Sequence, residues 1–190
     1  LKLGIDFVNL PMLGVVRLGV GFVAFAALTV MVFANAVNFT DGVDGLSMGI
    51  LLVCLFGYLA VSVKLIDTPM SIFIGIWIGG LITFLYFNTY PANVFLGDVG
   101  AMAFGAVLAV VALLSGRVAM VFVFGLLFFL EFGTSFIQLF WKKVFGRPIL
   151  PIAPLHYYFL KKGWSEPQLV QRALVVTTLL VVVGLFIDTL

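Results

Sequence analysis

Asp41 and Asp44 stand three residues apart in the run Asn35-Ala-Val-Asn38-Phe-Thr40-Asp41-Gly42-Val-Asp44-Gly45-Leu46. Two carboxylates with Asn35, Asn38 and Thr40 just upstream can hold a hard cation or orient a polyanionic substrate. A pair of Asp-Gly turns capping the next helix would account for Gly42, Gly45 and one aspartate. It leaves Asn35, Asn38 and the second carboxylate without a role. In hydrocarbon an aspartate costs about 2.5–3.5 kcal/mol at a helix centre, so the run belongs at a membrane surface.

A second run, Asn88-Thr-Tyr-Pro91-Ala-Asn93-Val-Phe95-Leu-Gly97-Asp98-Val-Gly100, leads straight into an apolar stretch. Asp98 is therefore expected at or near a helix N-terminus. There it serves as an N-cap, or the glycines and the positive helix end receive a phosphate. A third run, Lys142 to Pro167, holds Pro148, Pro151, Pro154, the sole histidine His156, then Tyr157, Tyr158, Lys161, Lys162, Trp164 and Glu166. Aromatics and lysines suit the headgroup layer. His156 is the exception, because it shares a membrane face with three aspartates. Glu131 falls inside an apolar stretch, as a buried structural acid or a functional group. Gln138 follows on the same helical face. Carboxylates without a Cys or His cluster suit Mg²⁺, which takes oxygen ligands and typically one or two carboxylates plus substrate phosphates. Basic residues nearby would hold the anion. The chemistry so implied is attack on a soluble diphosphate, with a lipid as acceptor.

The elements that must position these groups are membrane helices. The 190 residues are 64% hydrophobic and 9% charged, with a mean hydropathy of +1.29. Ordinary soluble domains are roughly 45–50% apolar and about 25% charged, so the solvent here is lipid. A net charge of +2 argues against nucleic acid, and Cys54, the single cysteine, builds neither a disulfide nor a cysteine metal site. No signal peptide is visible in Leu1 to Met12, and the first residue is not Met. The expected architecture is all-α, a polytopic bundle of about six transmembrane helices with three cytoplasmic motif loops. It forms one domain over 1–190, with spans near 16–37, 45–65, 69–87, 99–115, 119–141 and 168–187. Antiparallel parity puts the connections 38–44, 88–98 and 142–167 on one side, with Lys142, Lys143, Arg147, Lys161 and Lys162. The other side carries Lys2, Arg17, Lys64 and Arg117. The basic excess makes the first side cytoplasmic.

Three runs, NAVNFTDGVDGL (Asn35 to Leu46), FLGDVG (Phe95 to Gly100) and APLHYYFLKKGWSEPQLVQR (Ala153 to Arg172), carry a resemblance. The chain closely resembles the phospho-N-acetylmuramoyl-pentapeptide transferase family, within the polyprenyl-phosphate N-acetylhexosamine-1-phosphate transferases. The resemblance implies transfer of phospho-MurNAc-pentapeptide from its UDP carrier to undecaprenyl phosphate, with release of UMP. It implies Mg²⁺ as cofactor, a bacterial plasma membrane location with a cytoplasmic active face, and a homodimer by analogy. It makes Asp98 the Mg²⁺-linked aspartate and Asp41, Asp98 and His156 the catalytic set. Substrate binding falls to Asn35, Asn38, Asp44, Asn88, Phe95 and Gln138, with Phe95 stacking on uracil. The sequence departs from the family at Tyr157 and Tyr158, where histidines are usual, at Leu160 and at Ala101. The family's adjacent aspartate pair on an earlier loop has no counterpart here, so the chain is expected to be the C-terminal part of a larger domain. Alone, it is expected to bind a uridine nucleotide without turnover. The alternatives are a related transferase for another surface glycan, an inactive fragment, and a transporter. A transporter would spread polar residues through the membrane depth, whereas these cluster at one surface.

Overall fold

In lipid every backbone group must find its partner inside the protein, which favours helices. The computed structural model describes residues 6–10 and 14–189, and they are mainly helical. Lys2 lies outside the described residues. After a short hairpin, β1 (Phe7–Leu10) and β2 (Gly14–Arg17), come α1 (Gly21–Thr40), α2 (Leu46–Lys64), α3 (Thr68–Asn88), α4 (Gly97–Leu114), α5 (Ala119–Phe124), α6 (Leu126–Phe145), α7 (Leu155–Lys161) and α8 (Glu166–Ile187). Five of these, α1 to α4 and α8, are long and apolar enough to cross a membrane.

Two expectations change. The first span does not start near residue 16. Residues 14–17 pair with residues 7–10 as an antiparallel strand, Phe7 opposite Arg17. Val15 and Val16 are β-branched and favour an extended chain. The expected fifth span, 119–141, is interrupted at Gly125 into α5 and α6. Gly125 sits where a side chain would meet the Val121 carbonyl at 2.8 Å and the Phe33 ring at 3.0 Å. The second piece, α6, outruns the expected end by four residues and closes on Gly146, whose φ is 69°, with Lys142 and Lys143 in its last turn.

Helix α1 packs against α4 and α6, and α2 packs against α3 and α8. Small residues set the closest crossings, as expected where lipid gives no hydrophobic drive between helices. A Cβ at Gly105 of α4 would fall on the Phe33 carbonyl oxygen of α1. Gly57 of α2 and Gly184 of α8 make room for the Phe124 ring, which would meet added Cβ atoms at 3.0 and 2.6 Å. Helix α3 starts on Asp67, whose Oδ1 accepts the Met70 N–H at 3.1 Å.

At one end of the bundle the C-termini of α2, α4 and α8 meet. The Asp188 side chain is 1% exposed and lies 3.2 Å from both Lys64 Nζ and Arg117 Nη1. Lys64 also donates to the Asp188 carbonyl at 3.1 Å, and Tyr58 donates to the Arg117 carbonyl at 3.3 Å. The hairpin joins this end through Asn9 N–H and the Gly116 carbonyl, 3.4 Å apart. The motif runs gather at the opposite end.

Candidate active site

Helix α1 runs further than the apolar pattern alone requires, because its last polar residues bond inside the helix. Asn35 Nδ2 donates to the Met31 carbonyl at 2.8 Å, and Thr40 Oγ1 donates to that of Ala36 at 2.7 Å. Asn35 and Asn38 are thus helical, and the loop proper begins at Asp41. Gly45, at φ 75°, then turns the chain into α2.

The first and second motif runs are stitched together. Gly45 N–H donates to Asn88 Oδ1 at 3.1 Å, and Asn88 Nδ2 donates to the Val94 carbonyl at 2.8 Å. Ala92 N–H donates to Asp44 Oδ2 at 2.9 Å. These bonds hold open a cleft of ≈ 160 Å³ lined by Asp41, Gly42, Val43, Asp44, Asn88, Phe95 and Leu96. Four residues singled out from the sequence, Asp41, Asp44, Asn88 and Phe95, therefore share one wall system. Phe95 is 72% exposed, an aromatic face with no internal packing to explain it.

Asp98 lies in the first turn of α4, as expected, yet it does not cap the helix. The N-cap position is Leu96, without a side-chain cap bond. The Asp98 carboxylate is exposed and close enough to Asp41 for the two charges to interact. Burial raises the Asp41 pKa above its ordinary 3.8; a hydrogen bond donated by Ser47 Oγ to Oδ1 opposes this, and the Asp98 charge adds to the rise. Ser47 was not singled out in the sequence. Its one signal is a hydroxyl in the first turn of a mainly apolar helix.

The third run reaches the same place. His156 is the second residue of α7, and its side chain is 1% exposed. A Cβ at Gly42 would lie 2.7 Å from His156 Nε2 and 3.0 Å from Tyr157 Oη. The glycine is what lets both side chains approach the acidic loop. On its other side His156 meets Glu131 of α6, with Nδ1 3.2 Å from Oε2. The same pair lines an apolar cavity of ≈ 200 Å³ with Phe159, Trp164 and Arg172, whose guanidinium stacks on the Trp164 ring at 3.9 Å. Gln138 is held elsewhere. Its amide donates to the Leu150 carbonyl at 3.1 Å and accepts the Ile149 and Leu150 N–H groups at 3.2 and 2.9 Å, fixing the loop after α6.

Among the described residues no group of three or more His, Cys, Asp or Glu converges as a metal cage. The donors fit Mg²⁺ in its other mode. Asp41 and Asp98 would supply hard carboxylate oxygens, with further ligands left to substrate phosphates and water. An exposed aromatic face, a small polar cleft and two interacting carboxylates suit a nucleotide diphosphate at a membrane surface. Residues 1–116 match the profile of glycosyl transferase family 4, and this stretch contains both motif runs that form the cleft. The chain belongs to glycosyl transferase family 4, a family of polyprenyl-phosphate sugar-1-phosphate transferases, and is a multi-pass membrane protein.

Proposed function

We propose that this chain carries the cleft-forming part of an enzyme that transfers phospho-MurNAc-pentapeptide from its UDP carrier to undecaprenyl phosphate at the cytoplasmic face of a bacterial plasma membrane. The observation that carries the reading is the meeting of three separate sequence runs on one acidic cleft, with Phe95 exposed at its rim. Asp98 and Asp41 would hold Mg²⁺, which supplies charge neutralisation at the diphosphate. Phe95 offers its ring to the uracil. Asn38, at the end of α1, lies one turn before Asp41, where it can meet the nucleoside. Asp44 and Asn88 act by keeping the cleft open, since both are engaged by backbone groups.

In the reaction a phosphate oxygen of the lipid attacks the phosphorus that carries the sugar. The bond from that phosphorus to the bridging oxygen breaks, and UMP leaves with the electron pair. Such in-line transfer depends chiefly on positioning and electrostatics. The residues that supply these here are Asp41, Asp98 and the His156 ring against Gly42.

The test is release of UMP from UDP-MurNAc-pentapeptide by the purified full-length protein in liposomes with undecaprenyl phosphate and Mg²⁺. Turnover that disappears in Asp98→Asn supports the proposal. Turnover with UDP-N-acetylglucosamine but not with the muramoyl donor would move the assignment to a transferase of another surface glycan. Tyr157, whose hydroxyl reaches Gly42 where the resembled family has a histidine, is the residue that would mark this difference.

A further inference from the structure

The buried pair on the far side of the cleft wall has a direction. Glu131 Oε2 accepts the backbone N–H of His156 at 3.3 Å and lies 3.2 Å from the ring Nδ1. The Glu131 side chain is 9% exposed and that of His156 is 1% exposed. The other ring nitrogen, Nε2, is fully buried without a hydrogen-bond partner and lies against Gly42. A buried polar atom left unpaired is costly and calls for an explanation.

We infer that Glu131 is a positioning residue that fixes the rotamer and tautomer of His156, so that Nε2 is the atom presented to substrate beside Asp41. The inference rests on the transferase reading of the cleft. A carboxylate oxygen that already accepts a backbone N–H offers lone pairs to the ring as well, so Nδ1 carries the hydrogen. In the neutral ring Nε2 then keeps its lone pair, because the tautomer is set by the hydrogen bond of the other nitrogen. Two anchors to one oxygen, from backbone and ring, hold both the start of α7 and the imidazole plane. The ring cannot turn without breaking its bond to Glu131. Gly42 completes the device, since any side chain there would occupy the place of Nε2. An acid inside an apolar helix is thus kept for its effect on a second residue, and it need not touch substrate.

The experiment uses the fact that His156 is the only histidine of these 190 residues. In full-length protein with any other histidines replaced, ¹⁵N-histidine labelling reports this ring alone. In the neutral ring the wild type is expected to show Nδ1 protonated. Glu131→Leu is expected to release the ring into the Nε2–H form or a mixture. It should lower kcat by about 100-fold, the cost of a misplaced group near the chemistry, with little change in KM for the nucleotide donor. Glu131→Gln keeps an acceptor oxygen and should recover most of both signals. Gly42→Ala should lower kcat while the Nδ1–H signature stays. An Nε2–H ring in the wild type overturns the inference whatever the variants do. So does a folded Glu131→Leu variant with unchanged tautomer and kcat. If wild-type protein releases no UMP at all, the transferase reading fails separately, and the tautomer of the wild type still decides the role of Glu131.

Discussion

The two ends of the bundle treat charge in opposite ways. At the end formed by α2, α4 and α8, Asp188 is buried between Lys64 and Arg117, and the three charges answer one another. At the other end neither Asp41 nor Asp98 has an ion-pair partner among the described residues, and Asp41 titrates above its ordinary value chiefly through burial, with the Asp98 charge adding to the rise. Charges kept for stability are matched from within the chain. Charges left unmatched in a cleft, at a cost to the fold, point to a ligand that completes them.

The comparison breaks most visibly if the two ends share a side of the membrane. Cysteines placed at Asn93 and Lys161 should react with an impermeant thiol reagent from one side of sealed vesicles, and a cysteine at the 87%-exposed Ile66 from the other. The native Cys54 is fully buried and should give no background. Labelling of Asn93→Cys and Lys161→Cys from opposite sides would end the arrangement.

Function and stability should then separate between the ends. Asp98→Asn is expected to lower kcat by about 10³-fold, matching several kcal/mol of lost charge neutralisation. Its melting temperature should hardly move, because Asp98 is exposed and caps nothing. Asp188→Ala should do the reverse. It strands Arg117 and half-exposed Lys64, and a loss of about 2 kcal/mol is expected, below the full value for a buried pair because Lys64 reaches solvent. Turnover measured below the melting transition should stay near wild type.

Two smaller effects sharpen the picture. Gln138→Leu removes three bonds to Ile149 and Leu150 and should cost about 1–2 kcal/mol, with faster proteolysis in the 146–154 loop. A large rise in KM without loss of stability would show Gln138 acting in substrate binding. The smallest effect concerns Asp41. Its carboxyl ionises near 3.8 when unfolded and at higher pH when folded. Folding is therefore favoured while the group is protonated, and that advantage is lost as pH rises through the folded value. Asp41→Asn should melt slightly higher than wild type at neutral pH and no higher below about pH 3.8, while losing turnover. A lower melting temperature at neutral pH would show that Asp41 stabilises the fold.

The helices and the polar end were legible because lipid enforces local rules. Each backbone N–H must bond within its own helix, so an apolar run of sufficient length reads directly as a span. Asp41, Asp44, Asn88, Phe95 and Asp98 stood out because polar residues at the edge of such runs have few ordinary reasons to be there. The break at Gly125 was not legible. Nothing in Phe124-Gly125-Leu126 distinguishes a tolerated helix glycine from an interruption; the backbone departs from helical geometry there, at φ −93° and ψ 22°, where the Phe33 ring of another helix leaves no room for a side chain.

What the sequence determined by itself was the solvent, the approximate spans and the end at which the polar motif runs gather, since these depend on composition and on periods within one helix. Only the tertiary structure decided which polar groups are spent on architecture and which remain for a ligand. Asn88 and Asp44 bond to backbone 43 and 48 residues away, and Glu131 reaches a histidine 25 residues on. Those pairings follow from how closely helices cross, and the crossings are set by the shape of packed side chains around Gly57, Gly105 and Gly184. The same amide or carboxylate can serve either purpose until packing gives it a partner.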